Sequence, residues 1–325
     1  MKAVVCEKYG PAAKVVRIGE RDRPTPKGNE LLVAVKASSV TSADCRIRSL
    51  NVPTGFSLLM RMALGFARPR NPVLGVDFSG VVEAVGPKVE GFEVGDPVLG
   101  STGIRMGCHA EFVRVPARSA IVRKPEGISY ESAAAFPFGY LTALSFLRDQ
   151  AKLRSGQSVL VYGASGAVGA ASVQLASSMG ATVTGVCSGR NSELVRSLGA
   201  ANVVDYQTQD MSRFEGRYDV VFDTVGKLGF ENGMNLTKRG GTFLLTVAGI
   251  PDYLKIGRSK FGSGRRVSAG MAGEKKADLE YLANLLSSGV LKPVIDRCFP
   301  IDDIVAAYEY SESGRKRGNV VLSIS

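Results

Sequence analysis

A chain of 325 residues that is 45% hydrophobic and 22% charged can bury a large core, has the length for two domains, and carries no internal repeat or low-complexity tract. Its net charge of +11 suits an anionic or phosphorylated ligand in general, but the basic residues are scattered, and the short clusters at Arg265 and Arg266 and at Arg315, Lys316 and Arg317 read as solvated surface, so nucleic acid is not the expected partner. Five widely spaced cysteines without a C-x-x-C pair argue against a disulfide framework or a structural zinc and for reduced thiols in a cytoplasm; the start MKAVVCEKYG is too brief for a secretory signal, and SLLMRMALGFA, broken by Arg61, falls short of the roughly 20 apolar residues of a span, so no membrane partner is expected.

From residue 1 to 122, short apolar runs such as LLVAV, FSGVVEAVG and EFVRVP are punctuated by Gly and Pro, which predicts a compact β-rich domain. From 123 to 266 strand-like runs alternate with helical ones: SVLVYG, AVGAASVQLASSMG, ATVTGVC, NSELVRSLG, NVVDY, YDVVFDTVG and GTFLLTVAG. Continuous apolar strands separated by helices predict βαβ units and a doubly wound parallel sheet, because parallel neighbours need crossovers and are buried on both faces. Residues 267 to 325 hold two helical patterns and a strand. The first helix places Leu279, Leu282, Leu285 and Leu286 on one face and stops at Gly289; the second starts with Asp302 as N-cap and ends at Gly314; the strand is NVVLSI. This segment is too short for a domain of its own and is expected to return to the first one. The fold class is α/β.

VLVYGASGAVGAASVQLA places a glycine motif between a buried strand and a helix, the context that gives such a motif meaning. In the form G-x-G-x-x-G its positions are Ala164, Gly166 and Gly169, with Ser165 between the first two. Gly166 lets backbone approach a pyrophosphate at the helix N-terminus, and Gly169 lets helix and strand pack closely. An acid that would bind the ribose 2′-OH is expected about 20 residues on, at the end of the second strand. CSGRN stands there instead. The Ser188 hydroxyl and the Arg190 fork, followed by Asn191, suit a 2′-phosphate, so the predicted cofactor is NADP(H); a solvated loop arginine beside NAD is the alternative.

Through NPVLGVDFSGVVEAVG, GDPVLG, AAAFPFGYLTAL, GASGAVG and LKPVID the chain resembles the medium-chain dehydrogenase/reductase superfamily over essentially its whole length. The resemblance implies a GroES-like β-rich lobe plus a Rossmann domain. Zinc alcohol dehydrogenases of this superfamily carry a catalytic Cys and a G-H-E motif; here Thr41 stands at the Cys position, Val76 at the His and Asp77 at the Glu, and the four-cysteine loop has no counterpart. The one histidine, His109, lies in GCHAEFV, a predicted strand, as a packed or surface residue. Zinc needs about three donor ligands and an open position, so no metal is expected. Without it alcohol oxidation is disfavoured, and the chain is similar to the zinc-independent quinone oxidoreductases and enone or alkenal reductases, in which hydride from a nicotinamide produces a resonance-stabilised anion that water protonates. No residue is assigned as general acid.

The family pattern further implies that Thr142 approaches the nicotinamide amide, that Ala167 and Val168 contact the pyrophosphate, that Tyr206 lies near the adenosine phosphate, that Val225, Val247 and Ala248 border the nicotinamide half, and that Asn319 reaches the cofactor from the last strand. Thr142 is otherwise helix filler and Tyr206 a core aromatic. The family's N-x-x-D is TSAD here: Thr41 replaces the Asn that faces substrate, and Asp44 either borders the substrate or orients backbone. Residues 56 to 70, with Phe56 and Met60, form a substrate lid, a piece of core or a partner contact. The implied activity is NADPH-dependent, zinc-independent reduction of quinones or α,β-unsaturated carbonyls. The alternatives are an enoyl-thioester reductase and a non-catalytic RNA-binding or structural member. Homodimerisation through an edge strand around RRVSAG is expected by family analogy.

Overall fold

The computed structural model describes residues 1–214, 216–259 and 264–324. The chain divides into two compact units, Met1–Val52 with Ser57–Phe138 and Glu274–Ser325, and Pro53–Phe56 with Gly139–Gly273.

In the first unit the strands run β1 (Lys2–Cys6), β2 (Val16–Glu20), β3 (Glu30–Val40), β4 (Asp77–Val85), β5 (Pro97–Ser101), β6 (Phe112–Pro116) and β7 (Ile121–Arg123). The second unit contributes β8 (Ser158–Tyr162), β9 (Thr182–Cys187), β10 (Asn202–Asp205), β11 (Tyr218–Asp223), β12 (Thr237–Leu245) and β13 (Arg266–Ala269), after which the chain returns to the first with β14 (Ile295–Pro300) and β15 (Asn319–Ser323).

The centre of the first unit is β3, eleven residues whose apolar side chains are almost all buried. It pairs antiparallel with β4, β6 and β15 in a sheet of order β14-β15-β3-β4-β5-β7. The late strand β15 completes the sheet by setting Val320 opposite Val40 and Leu322 opposite Ser38. The division between the units falls at 138/139, beyond the change of sequence texture at 122, because the helix Tyr130–Ala134 buries Ala133 and Ala134 and packs on β3 and β4.

Both C-terminal helices form. In Lys276–Ser287, Leu279, Leu282 and Leu286 are buried and Leu285 is half-buried, and Gly289 follows with φ +73°. The second departs from the expected start. A 3₁₀ turn, Ile301–Asp303, precedes the helix Ile304–Glu312, so Asp303 occupies the cap position and Asp302 instead pairs with Lys2 at 2.6 Å. His109 also departs from expectation. It lies in a bend before β6, not in a strand, and both it and its neighbour Cys108 are fully buried.

The second unit is a six-stranded parallel sheet of order β10-β9-β8-β11-β12-β13. Its inner strands read as unbroken apolar runs because both faces are covered. Strand order advances outward from β8 to β10, then returns to the other side of β8 with β11. That reversal opens a crevice beyond the carboxyl ends of β8 and β11, where α/β sheets bind ligands.

Candidate active site

At the end of β8 the chain turns at Gly163, whose φ of +82° suits glycine and whose absent Cβ would lie 2.7 Å from Val225 Cγ1. Gly169 has no room either: a Cβ there would stand 2.1 Å from the Gly163 carbonyl oxygen. This is the close helix–strand contact the motif requires. Gly166 differs, since a Cβ on it would meet only the Gly163 oxygen, at 3.5 Å. It is the N-cap of the helix Ala167–Ser178, it makes no side-chain cap, and no acid stands in the first turn. The helix start therefore has neither a capping side chain nor an acid to neutralise its positive end, which is the condition for holding a phosphate.

Ala164, placed at the first glycine position by the sequence motif, is fully buried, and its methyl lies against Gly185 of β9. The turn glycine is Gly163, one residue earlier. The small Gly185 makes room for the Ala164 methyl, which explains why the motif tolerates alanine.

The turn is tied to the loop after β9. Asn191 Nδ2 donates to Ser165 Oγ at 3.0 Å and to Ser188 Oγ at 3.2 Å, while its Oδ1 is buried without a hydrogen-bond partner. Ser188 is half-buried and Arg190 is exposed. Against Gly189, between them in the chain, lies a carboxylate that sequence reasoning missed: Asp205, at the end of β10, accepts from Gln207 N and sets Oδ2 where a Cβ on Gly189 would be 2.6 Å away. Tyr206 is half-exposed beside Tyr162, with ring centroids 6.3 Å apart.

The opposite wall of the crevice is organised by Asp223, the last residue of β11 and fully buried. Its Oδ1 accepts from Val225 N and Gly226 N, and its Oδ2 from Leu228 N at 2.9 Å. One carboxylate thus satisfies three loop N–H groups that would otherwise be orphaned. The loop holds Val225 partly exposed above Gly163 and seats Gly226 against Val247. Ala248 is buried next to it. Thr142 is partly exposed on the helix Pro137–Leu144, one turn after Gly139, whose Cα packs against the Ala167 carbonyl. Fourteen of the fifteen expected cofactor residues thus lie in this unit, around the turn and the strand ends.

The fifteenth, Asn319, lies in the first unit at the start of β15, with Nδ2 donating to the Val294 carbonyl at 3.0 Å. In the same unit Thr41 and Asp44 form a capping box for the helix Ser42–Ser49: Asp44 N donates to Thr41 Oγ1, and Thr41 N and Oγ1 both donate to Asp44 Oδ2, at 2.8 and 2.6 Å. Both residues are buried, and the Thr41 hydroxyl proton is occupied within the box. The spacing T-x-x-D at Thr41 and Asp44 is a legible local signal for this role. Phe56 packs edge-on to Tyr253, with centroids 5.9 Å apart, within the second unit, whereas Met60 packs on the core of the first.

The residues at the zinc-ligand positions do not fit a zinc ion. Val76 offers no donor, Thr41 is engaged in its box, and buried Asp77 accepts from Phe138 N at 2.8 Å and from Ser39 Oγ. Burial, with Glu274 nearby, pushes the Asp77 carboxyl well above the usual range. His109 is enclosed: Nε2 stands 3.1 Å from the Ser39 carbonyl, Tyr308 OH lies 3.5 Å from Nδ1, and burial holds the imidazole below its ordinary value.

Two family descriptions match the chain, "Alcohol dehydrogenase GroES-like domain" over residues 27–126 and "Zinc-binding dehydrogenase" over residues 198–322. Among relatives, the chain is 30% identical to the NAD(P)H oxidoreductase RTN4IP1, mitochondrial, of Mus musculus, over 91% of this chain and 82% of that protein. It is 34% identical to the 2-methylene-furan-3-one reductase of Solanum lycopersicum, over 78% of this chain and 64% of that one. The structure of the quinone oxidoreductase from Coxiella burnetii superposes with a TM-score of 0.87 at 29% identity, covering 100% of this chain and 99% of that one. The chain belongs to the medium-chain dehydrogenase/reductase superfamily, in its quinone oxidoreductase-like branch. These relatives support an oxidoreductase that uses a nicotinamide cofactor.

Proposed function

We propose that the protein is an NADPH-dependent, zinc-independent reductase that passes hydride to quinones or α,β-unsaturated carbonyls. The observation that carries the reading is the uncapped helix start at Gly166 facing a loop that presents Ser188 and Arg190 where an acid would select NAD. A reduced nicotinamide, when bound, supplies the hydride. The N–H groups of Ala167 and Val168 hold the pyrophosphate, and Ser165, Ser188, Arg190 and Asn191 hold the 2′-phosphate. Tyr206 covers the adenosine, Thr142 orients the carboxamide, Val225, Val247 and Ala248 exclude water along the nicotinamide half, and Asn319 is assigned to the cofactor from the first unit.

The donor set at Thr41, Val76 and Asp77 does not fit a metal, so the acceptor itself must disperse the incoming charge. A conjugated enone or quinone does so, and solvent protonates the product. The names of the tomato and Coxiella relatives support these two substrate classes. The five unpaired cysteines support a cytoplasmic site, and no helix among the described residues is long and apolar enough to cross a membrane. Strand β13 ends the sheet and is the edge through which two copies would pair.

Initial rates with NADPH and NADH against quinones, alkenals and an enoyl thioester test the reading. Wild type should prefer NADPH, and Arg190→Ala should raise the KM for NADPH by about 10- to 100-fold while leaving NADH unchanged. Equal preference in both proteins overturns the cofactor assignment. Exhaustive chelation should leave the rate intact, and a loss restored by zinc overturns metal independence.

A further inference from the structure

The helix Ser57–Leu64 is seated by one face and bare on the other. Met60 packs on the core of the first unit and Leu64 is buried there, while Leu58 is 61% exposed, Leu59 53% and Met62 54%. These three share one helix face, since 58 and 62, and 59 and 62, are neighbours one turn apart. Just past the helix end, Gly65 turns the chain with φ +125° and presents Phe66 at 66% exposure. The turn is held in place: Tyr9 OH donates to the Gly65 carbonyl, Arg61 Nη1 to the Phe66 carbonyl and Arg70 Nη2 to the Met62 carbonyl. The bare apolar face is therefore presented by a braced element.

Its charge is one-sided. No acidic residue occurs between Asp44 and Asp77, whereas Arg61, Arg68 and Arg70 lie in the helix and turn. None of these three makes an ion pair among the described residues. The carbonyl bonds of Arg61 and Arg70 satisfy donors without neutralising charge. Arg61 also lies over the Tyr9 ring, 5.6 Å from its centroid, which leaves its charge without a carboxylate. Four large exposed apolar side chains among guanidinium groups with no carboxylate partner match the composition of an interfacial helix, whose apolar face enters the acyl boundary while its cations meet phosphates.

We propose that residues 57 to 70 are a docking surface for an anionic lipid bilayer, with Leu58, Leu59, Met62 and Phe66 entering the bilayer and Arg61, Arg68 and Arg70 at the headgroups. The protein would then lie on a membrane without spanning it. An acidic groove on another protein would match the arginines but supplies no apolar partner for four exposed side chains, whereas an anionic bilayer supplies both.

Flotation of the full chain with vesicles of phosphatidylcholine alone or mixed with phosphatidylglycerol is the test. Wild type should float with the mixed vesicles and not with phosphatidylcholine, and high salt should release it. The neutral pair Leu58→Gln/Met62→Gln should weaken partitioning by more than about tenfold, and Arg68→Gln by about fivefold, with the thermal midpoint of wild type retained in both. Absence of flotation with either vesicle, or flotation unchanged in the Gln pair, overturns the proposal. So does a wild-type dimer that the Gln pair splits in sedimentation, which assigns the face to a second copy. Tight, salt-sensitive binding of polyuridylate that survives the Gln pair, without flotation, assigns the arginines to nucleic acid and overturns it equally.

Discussion

Two helix starts in this protein solve the same problem in opposite ways. The helix Ser42–Ser49 begins with Thr41 and Asp44 bonded to each other and to each other's backbone N–H groups, so its positive end is closed and buried. The helix Ala167–Ser178 begins at a glycine with no cap bond, no acid in its first turn and clear space around its Cα. A helix that must hold a ligand's phosphate leaves its end unfinished; a helix that only supports the fold finishes its own.

The largest effect expected from breaking this contrast is at Gly169. Gly169→Ala places a methyl on the Gly163 carbonyl, which cannot yield without reshaping the turn, so stability should fall by about 3 kcal/mol and NADPH binding should be lost, as read by urea unfolding and fluorescence titration. Next comes Gly166→Asp, which supplies the cap the open helix lacks. Stability should rise by a few tenths of a kcal/mol while NADPH affinity falls by about a hundredfold, because the carboxylate takes the N–H groups and repels the pyrophosphate. A variant that keeps its affinity would show that the open end is not the phosphate site.

The converse change, Thr41→Ala, removes a cap that already exists. It should cost about 1 kcal/mol and leave kcat and both cofactor KM values unchanged. A fall in kcat at constant stability would give Thr41 a place beside the substrate after all.

The smallest effect is expected at His109, close to the closed helix start. Burial depresses its imidazole below 6.5, so an unfolded chain takes up the proton at higher pH than the folded protein does. The stability from keeping it neutral is whole above about pH 6.5 and is lost as pH falls toward the folded value. The Asp44 carboxyl, raised by burial, works in the other direction and recovers stability on acidification. His109→Gln isolates the first effect: its urea midpoint should drop less than that of wild type between about pH 7.5 and about pH 5.5. An equal drop would show that the ring titrates as freely folded as unfolded.

Much of the proposed cofactor site is written in local spacing. The strand–turn–helix around Gly166 and Gly169 and the basic loop after β9 are contiguous patterns, and a short stretch of chain dictates their geometry. The capping box at Thr41 is equally local, since T-x-x-D lets Thr41 and Asp44 fill each other's hydrogen-bonding capacity within four residues. Asp223 was not legible. A carboxylate closing a strand has no local signature that tells three accepted N–H bonds from a solvated end, and its role depends on how the following loop folds back. The shift of the turn glycine from 164 to 163 likewise needed Gly185, on a neighbouring strand, to become visible.

The sequence alone determined the parallel sheet, the glycine turn and the absence of an acid after β9, because hydrophobic period, glycine spacing and charge are properties of adjacent residues. Only the tertiary structure decided which polar groups were already spent on one another, as at Thr41 with Asp44 or Asp223 with its loop, and which were left open, as at Gly166. The reason is that a hydrogen-bonding group has a fixed capacity, and whether it is filled depends on which distant backbone the fold brings within about 3 Å of it.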